Sequence, residues 1–289
     1  MGMLVSPPRL PGVFRDTTAA RPISPNPSVA IPSAVAKDAV QTAARLFPKD
    51  ASAREEFREQ LLAAYTLTWD KDVLIIFNPG GWGYAPISTS PGWGTILAGM
   101  TAELASRGYS SIALDYQRST KSRRGQFSEF QASTGASAVK AGELAERTMF
   151  LTRSLPQLYV ILTGESNGCV TADTALKLAK SDTGRILAIE TGPPAWYKNG
   201  ASDRALVLRS NGTVPDAFSN GDLGAILRAN IAALFGKSAA APGKVLLYIG
   251  APGHEYSWGH PAVGDQVTAF IDSHFVPRAT TGLSSPGGG

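Results

Sequence analysis

Residues 164–168 read Gly-Glu-Ser-Asn-Gly, placed between an apolar run at 158–163 and a helix-like pattern from Cys169 onward. A G-x-S-x-G pentapeptide between a strand and a helix is the sequence form of a nucleophile elbow. The turn is cramped, and glycines two residues to either side of Ser166 remove the Cβ atoms that would clash. The hydroxyl then projects above the strand end, beside the first N–H groups of the next helix, which favour a developing oxyanion. The chemistry this spacing allows is attack by a serine oxygen, with the Asn167 N–H as one oxyanion donor. An ordinary glycine-rich turn is the competing reading, and the position between strand and helix counts against it.

Such a serine needs a base, and the chain has 3 histidines. His254 stands directly after the strand-like 244–250 and before the closing helix, where a loop carries an imidazole back over the serine. His260 precedes Pro261 and reads as a cap or packing residue, and His274 as a cation at a helix C-terminus. A second glycine loop, Asn78-Pro79-Gly80-Gly81-Trp82-Gly83, follows the apolar run at 72–77. It resembles the H-G-G type of oxyanion loop, with Pro79 where the histidine usually stands. The N–H groups of Gly81 and Trp82 are its candidate donors. A nucleotide-binding reading lacks the lysine and hydroxyl of G-x-x-x-x-G-K-[ST], and the G-x-G fragment is too short for a dinucleotide fingerprint.

The elements that must position these groups follow from periodicity. A continuous apolar run at 72–77 predicts a strand buried on both faces, and 110–116, 158–163, 185–190, 204–210 and 244–250 read as further strands. Between them, apolar residues at helical spacing predict helices over 94–108, 137–155, 169–180, 222–236 and 261–275, with two more at 33–47 and 52–65. Strands alternating with helices predict a mainly parallel sheet with helices on both faces, whose ligands gather at the carboxyl ends of the strands. Residues 1–33 read as an extended or loosely ordered arm, 34–276 as one α/β domain opening with the helices of 34–66, and 277–289 as a disordered tail.

Composition bounds the alternatives. Among 289 residues, 43% are hydrophobic and 17% charged, enough for a sizeable core. The net charge of +4 is partly local, with Arg118, Lys121, Arg123 and Arg124 in one loop. No nucleic-acid recognition module accompanies them, so they read as a solvated loop with a nearby acidic partner. Cys169 is the only cysteine, which excludes an intramolecular disulfide and a multi-cysteine metal site, and favours a reducing, cytoplasmic setting. No run is long and apolar enough to span a bilayer, and the first residues lack the apolar core of a secretory signal.

Strand, oxyanion loop, serine elbow and late histidine, in that order over about residues 70 to 276, resemble the α/β-hydrolase superfamily. The resemblance implies a serine–acid–histidine order and nucleophilic attack on an acyl carbon, with the histidine relaying the proton. It also implies an acid in the loop after the strand before the last, often three residues ahead of a Val-Pro pair. Asn211 holds that position here. Asp216 follows the pair; Glu190, at the end of the preceding strand, and Asp222, at a helix start where capping is its default role, are alternatives. Asp115, closing the strand at 110–116, reads as a loop pin, and Cys169 as a small core residue beside Ala172 and Leu176. Trp82, Trp93, Trp196, Tyr197, Tyr256 and Trp258 flank the site loops, either as packing or as walls of an apolar acyl pocket. Residues 191–204 leave no room for a large cap domain.

The expectation is therefore a serine hydrolase cleaving small-molecule carboxylic esters, with Ser166, His254 and Asp216 catalytic and no metal or organic cofactor required. Acyl transfer at the same site is one alternative. A catalytically weak or inactive binding protein on the same scaffold, motivated by Asn211, is another.

Overall fold

A computed structural model of the chain describes residues 11–17, 21–81, 83–119, 137–179, 184–198, 202–237 and 251–278. Its strands are β1 (Val13–Asp16), β2 (Val73–Asn78), β3 (Ser111–Gln117), β4 (Tyr159–Glu165), β5 (Ile186–Thr191) and β6 (Ala205–Leu208). Its helices are α1 (Ser33–Leu46), α2 (Ala51–Thr68), α3 (Pro91–Ser106), α4 (Ser137–Ser154), α5 (Asn167–Leu178), α6 (Ala217–Asn220), α7 (Leu223–Leu234) and α8 (Gly264–His274). Among the described residues these strands form one sheet in the order β1-β3-β2-β4-β5-β6, parallel except where β1 runs antiparallel to β3. This is the two-faced, mainly parallel α/β architecture that the alternation predicts.

The reason lies in the strand sequences. Every residue of β2 and β5 is buried, and successive side chains enter opposite layers. Leu74 and Ile76, Val160 and Leu162, and Ile186 and Ala188 pack with residues of α1, α2, α4 and α5. Ile75 and Phe77, Ile161, and Leu187 and Ile189 pack with α3 and α8. The chain turns from β2 to β3 in one direction and returns to β4 on the other side, so the order of winding reverses between β2 and β4. That is where such sheets open a crevice at their carboxyl ends. None of the described helices is long and apolar enough to cross a membrane.

The amino-terminal arm does more than lie on the surface. Residues 13–16 extend the sheet, and Phe14 is fully buried. Its backbone is held by side chains of the helices beneath: Gly12 N–H donates to Glu143 Oε2 at 2.6 Å and Phe14 N–H to Gln60 Oε1 at 2.7 Å. The Arg147 guanidinium donates to the Gly12 carbonyl and stacks 4.2 Å from the Phe57 ring centroid. A polar pair buried among aromatic rings is costly to break singly, because the remaining partner stays desolvated. The strand predicted at 244–250 and most of the tail predicted at 277–289 lie outside the described residues, although Arg278 is described and pairs with Asp72.

Glu143→Ala strips the acceptor from Gly12 N–H and the carboxylate from beside Arg147. It is expected to destabilise the fold by about 3 kcal/mol, read as a lower urea midpoint with an unchanged slope.

Candidate active site

The turn after β4 carries Ser166 at φ 51°, ψ −119°, and it is the only non-glycine among the described residues with positive φ. Such a conformation costs on the order of 1–3 kcal/mol and persists only where neighbours over-determine it. They do so here. Ser166 N–H donates to the Thr191 carbonyl at 2.9 Å, and the Ser166 carbonyl accepts from Cys169 N–H at 3.0 Å. A Cβ at Gly164 would lie 2.6 Å from Cys169 Cα, and one at Gly168 2.0 Å from the Asn78 carbonyl oxygen. The two glycines let the start of α5 pack directly on the ends of β4 and β2. Cys169 is fully buried beneath the turn; its thiol donates to the carbonyls of Gly164 and Thr191, and burial pushes it well above the ordinary thiol range. It is inert packing.

His254 and Asp216 meet on the β5–β6 side of this turn. His254 Nδ1 lies 2.9 Å from Asp216 Oδ2, and Asp216 is fully buried. As N-cap of α6, Asp216 accepts through Oδ1 from the N–H groups of Phe218 and Ser219, at 2.9 and 3.0 Å. Its Oδ2 also accepts from Ser219 Oγ at 2.8 Å and from the Tyr256 hydroxyl at 2.7 Å. Burial alone would raise the pKa of this carboxyl. The hydrogen bond and charge of His254, followed by the Ser219 and Tyr256 donors, outweigh it and hold the pKa below the usual value. Burial and then the Asp216 charge raise the Tyr256 phenol far above its ordinary range, so it remains a donor. Phe218 packs edge-on against the imidazole, ring centroids 4.8 Å apart.

Gly192 ties this pair to the serine turn. It follows Thr191, the acceptor for Ser166 N–H, and adopts φ 61°. A Cβ there would stand 2.6 Å from His254 Cε1 and 3.1 Å from Asp216 Oδ2.

The other candidates take different places. Asp222 caps α7, accepting from Ala225 N–H at 2.8 Å, and so does the work of its default reading. Glu190 is fully buried inside β5, in register with Gly164 and Val207; the carboxylate bonded to His254 is Asp216. Asn211 staples two loops: its Oδ1 accepts from Thr213 and Val214 N–H at 2.8 and 3.1 Å, and its Nδ2 donates to the Glu255 carbonyl at 2.9 Å. His260 Nδ1 accepts from Ser257 N–H at 3.1 Å within its own turn, and His274 sits at the C-terminal end of α8 against Phe270.

In the glycine loop, Gly80 lies against the elbow, where a Cβ would meet Ser166 Cβ at 3.2 Å. Its N–H lies near the Glu165 carboxylate, which accepts from Ser90 Oγ at 3.0 Å. Gly81 has φ 54° and open space around its Cβ position, whereas Trp82 lies outside the described residues. The sequence reading missed Ser219, Gly192 and Glu165, and took Tyr256 only as packing or a pocket wall. A glycine directly after a strand was the one available signal. Of the aromatic residues, Trp93 is packed, donating to Thr191 Oγ1 at 3.0 Å, and Trp196 is 59% exposed. Among the described residues no group of His, Cys, Asp and Glu is placed to hold a metal ion.

No family model matches the chain, and no curated protein matches it in sequence. Solved structures that it resembles include a Trichoderma reesei cutinase in complex with a phosphonate inhibitor, at 13% identity and a TM-score of 0.37, covering 86% of this chain and 93% of that one. A cutinase-like protein from Cryptococcus sp. matches at 14% identity and a TM-score of 0.41, covering 72% of this chain and 97% of that one.

Gly192→Ala forces the imidazole off Asp216. Loss of the downfield Nδ1–H proton resonance, with helix content unchanged, is the expected outcome. Because the folded pKa of Asp216 is lowered, its contribution to stability is full above the unfolded carboxyl value of about 3.9 and is lost as pH falls through the lower folded value. Asp216→Asn is therefore expected to flatten the fall in urea-measured stability below about pH 4.

Proposed function

We propose that the protein is a serine carboxylic-ester hydrolase acting through an acyl-enzyme. The observation that carries this reading is the buried carboxylate of Asp216 on Nδ1 of His254, packed on Gly192 beside the serine turn. Held from Nδ1, the imidazole keeps Nε2 unprotonated and available as a base. In the first half-reaction Ser166 Oγ bonds to the acyl carbon while His254 takes its proton; the carbonyl oxygen becomes an oxyanion stabilised by the N–H groups of Asn167 and Gly81. Collapse breaks the bond to the alcohol oxygen, and the proton passes from His254 to the leaving alcohol. Water repeats the sequence on the acyl-enzyme, releasing the acid and restoring Ser166.

The multiply bonded Asp216 supports turnover, since an acid held as an anion stabilises the imidazolium formed in each half-reaction. Asn211 motivates a non-catalytic binding protein when read from the sequence alone. Its side chain has a loop-stapling role, and another residue supplies the carboxylate, so the motive falls away.

A fluorophosphonate is expected to label the protein on Ser166, with labelling abolished in Ser166→Ala. Hydrolysis of nitrophenyl esters should fall by roughly 10³-fold or more in that variant and by about 10⁴-fold in Asp216→Asn, whose amide holds the wrong tautomer. Folded protein that takes no label and turns over no ester of the panel contradicts the reading.

A further inference from the structure

Asp216 carries more donors than its histidine requires. Its Oδ1 is filled by the N–H groups of Phe218 and Ser219. Its Oδ2 faces His254 Nδ1 at 2.9 Å, Ser219 Oγ at 2.8 Å and the Tyr256 hydroxyl at 2.7 Å. A carboxylate offers about two lone-pair sites on each oxygen, so the donors on Oδ2 compete. The tyrosine is fastened from two directions. The Tyr256 side chain is buried in the layer that holds Phe77 and Trp93. Its backbone lies on the start of α3, where a Cβ at Gly92 would stand 2.1 Å from the Tyr256 carbonyl oxygen. On either side, the Glu255 carbonyl accepts from Asn211 Nδ2 at 2.9 Å, and Trp258 N–H donates to Thr95 Oγ1 at 3.0 Å. The phenol is thus fixed on Oδ2, and burial beside Asp216 keeps it protonated.

That hydrogen bond puts the positive end of the phenol dipole on the oxygen that faces Nδ1. It draws negative charge away from the imidazole, which matters more when the ring is a cation than when it is neutral. The other groups around the ring act differently. The Glu165 carboxylate, on the serine turn, attracts the charged ring. Glu255, beside His254 in the chain, is exposed. Phe218 and Gly192 carry no charge, and burial keeps Cys169, beneath the serine turn, a neutral thiol. Asp216 and Glu165 therefore favour the protonated ring, and the hydroxyls of Tyr256 and Ser219 oppose them at Oδ2. A base that takes the Ser166 proton has to be neutral beforehand.

We propose that Tyr256 is a positioning residue that loosens the hold of Asp216 on the imidazolium, so that His254 is a neutral base at lower pH than the carboxylate alone would allow. The inference deepens the ester-hydrolase reading and rests on it for its kinetic consequence. Its test is an NMR titration of the 3 histidine rings in the full chain, with the His254 signals identified by their loss in His254→Gln. Tyr256→Phe keeps the ring packed and removes one donor from Oδ2, so the His254 midpoint should rise by about one pH unit. The acid limb of the kcat/KM profile for nitrophenyl esters should move the same way. His260, bonded to Ser257, and His274, at the end of α8, give the reference midpoints. Ser219→Ala keeps the Ser219 N–H on Oδ1 and removes the other hydroxyl from Oδ2. It should raise the His254 midpoint in the same direction, and it decides the matter if Tyr256→Phe does not fold. A merely structural tyrosine would lower activity equally at every pH and leave the His254 midpoint in place. That result, or a midpoint that falls, overturns the proposal. A midpoint that rises in a protein taking no fluorophosphonate label keeps the role of Tyr256 at the pair and overturns the ester-hydrolase reading alone.

Discussion

The strained backbone at Ser166 is the constraint on which the rest of the molecule depends. A serine at φ 51° has no local reason to stay there, so the conformation must be imposed by contacts from outside the turn. Those contacts come from the ends of three adjacent strands: Asn78 of β2 against Gly168, Gly164 of β4 against Cys169, and Thr191 of β5 bonded to Ser166 N–H. Each strand end is fixed by burial on both faces of the sheet. The strain is therefore held by the whole two-layer core, and the serine points where the sheet sends it.

A similar economy runs through the acid. Asp216 is at once the N-cap of α6 and the carboxylate on His254, with Ser219 and Tyr256 filling its remaining acceptor sites. A cap is a well-determined position, since two backbone N–H groups fix Oδ1 and leave Oδ2 to face the imidazole. The loop bearing His254 is fastened in turn by Asn211 and by His254 N–H on the Ala251 carbonyl. The geometry of the Asp216–His254 pair is thus set by ordinary turn and capping chemistry. That is why an asparagine at 211 can coexist with a carboxylate on the histidine.

Much of the fold could be read in advance because its signals are long and redundant. Strands such as β2 and β5, apolar at almost every position, admit few other placements, and the helices between them repeat their apolar residues at one period. Short signals fared worse. The strand Val13–Asp16 has only Val13 and Phe14 as apolar residues; its place depends on Glu143, Gln60 and Arg147, far away in sequence. In α1, Val40 belongs to the apolar stripe by spacing yet is 52% exposed, while Ala39 and Ala43 are buried, because α2 and α4 pack on the narrower small-residue face. At the site, the corner carrying Ser166 was visible as a strand–glycine–helix junction. The sequence put Asp216 only narrowly ahead of Glu190 and Asp222, and it is the hydrogen bond to His254 that separates them.

Glu165 links the glycine loop after β2 to the Ser166 turn through a single side chain. It precedes Ser166, and its carboxylate accepts from Oγ of Ser90, the residue before α3, near the Gly80 N–H. Burial raises its pKa, while these two donors and the charge of His254 oppose the rise. Moving Gly80 away from the elbow separates its N–H from the part-buried Glu165 carboxylate, and contacts to a charged acceptor cost more to lose than those to a neutral one. The glycines that leave Gly81 unobstructed would by themselves make the loop mobile. The Glu165 contact ties this loop to the same turn that carries Ser166, so Gly80 and Ser166 shift together.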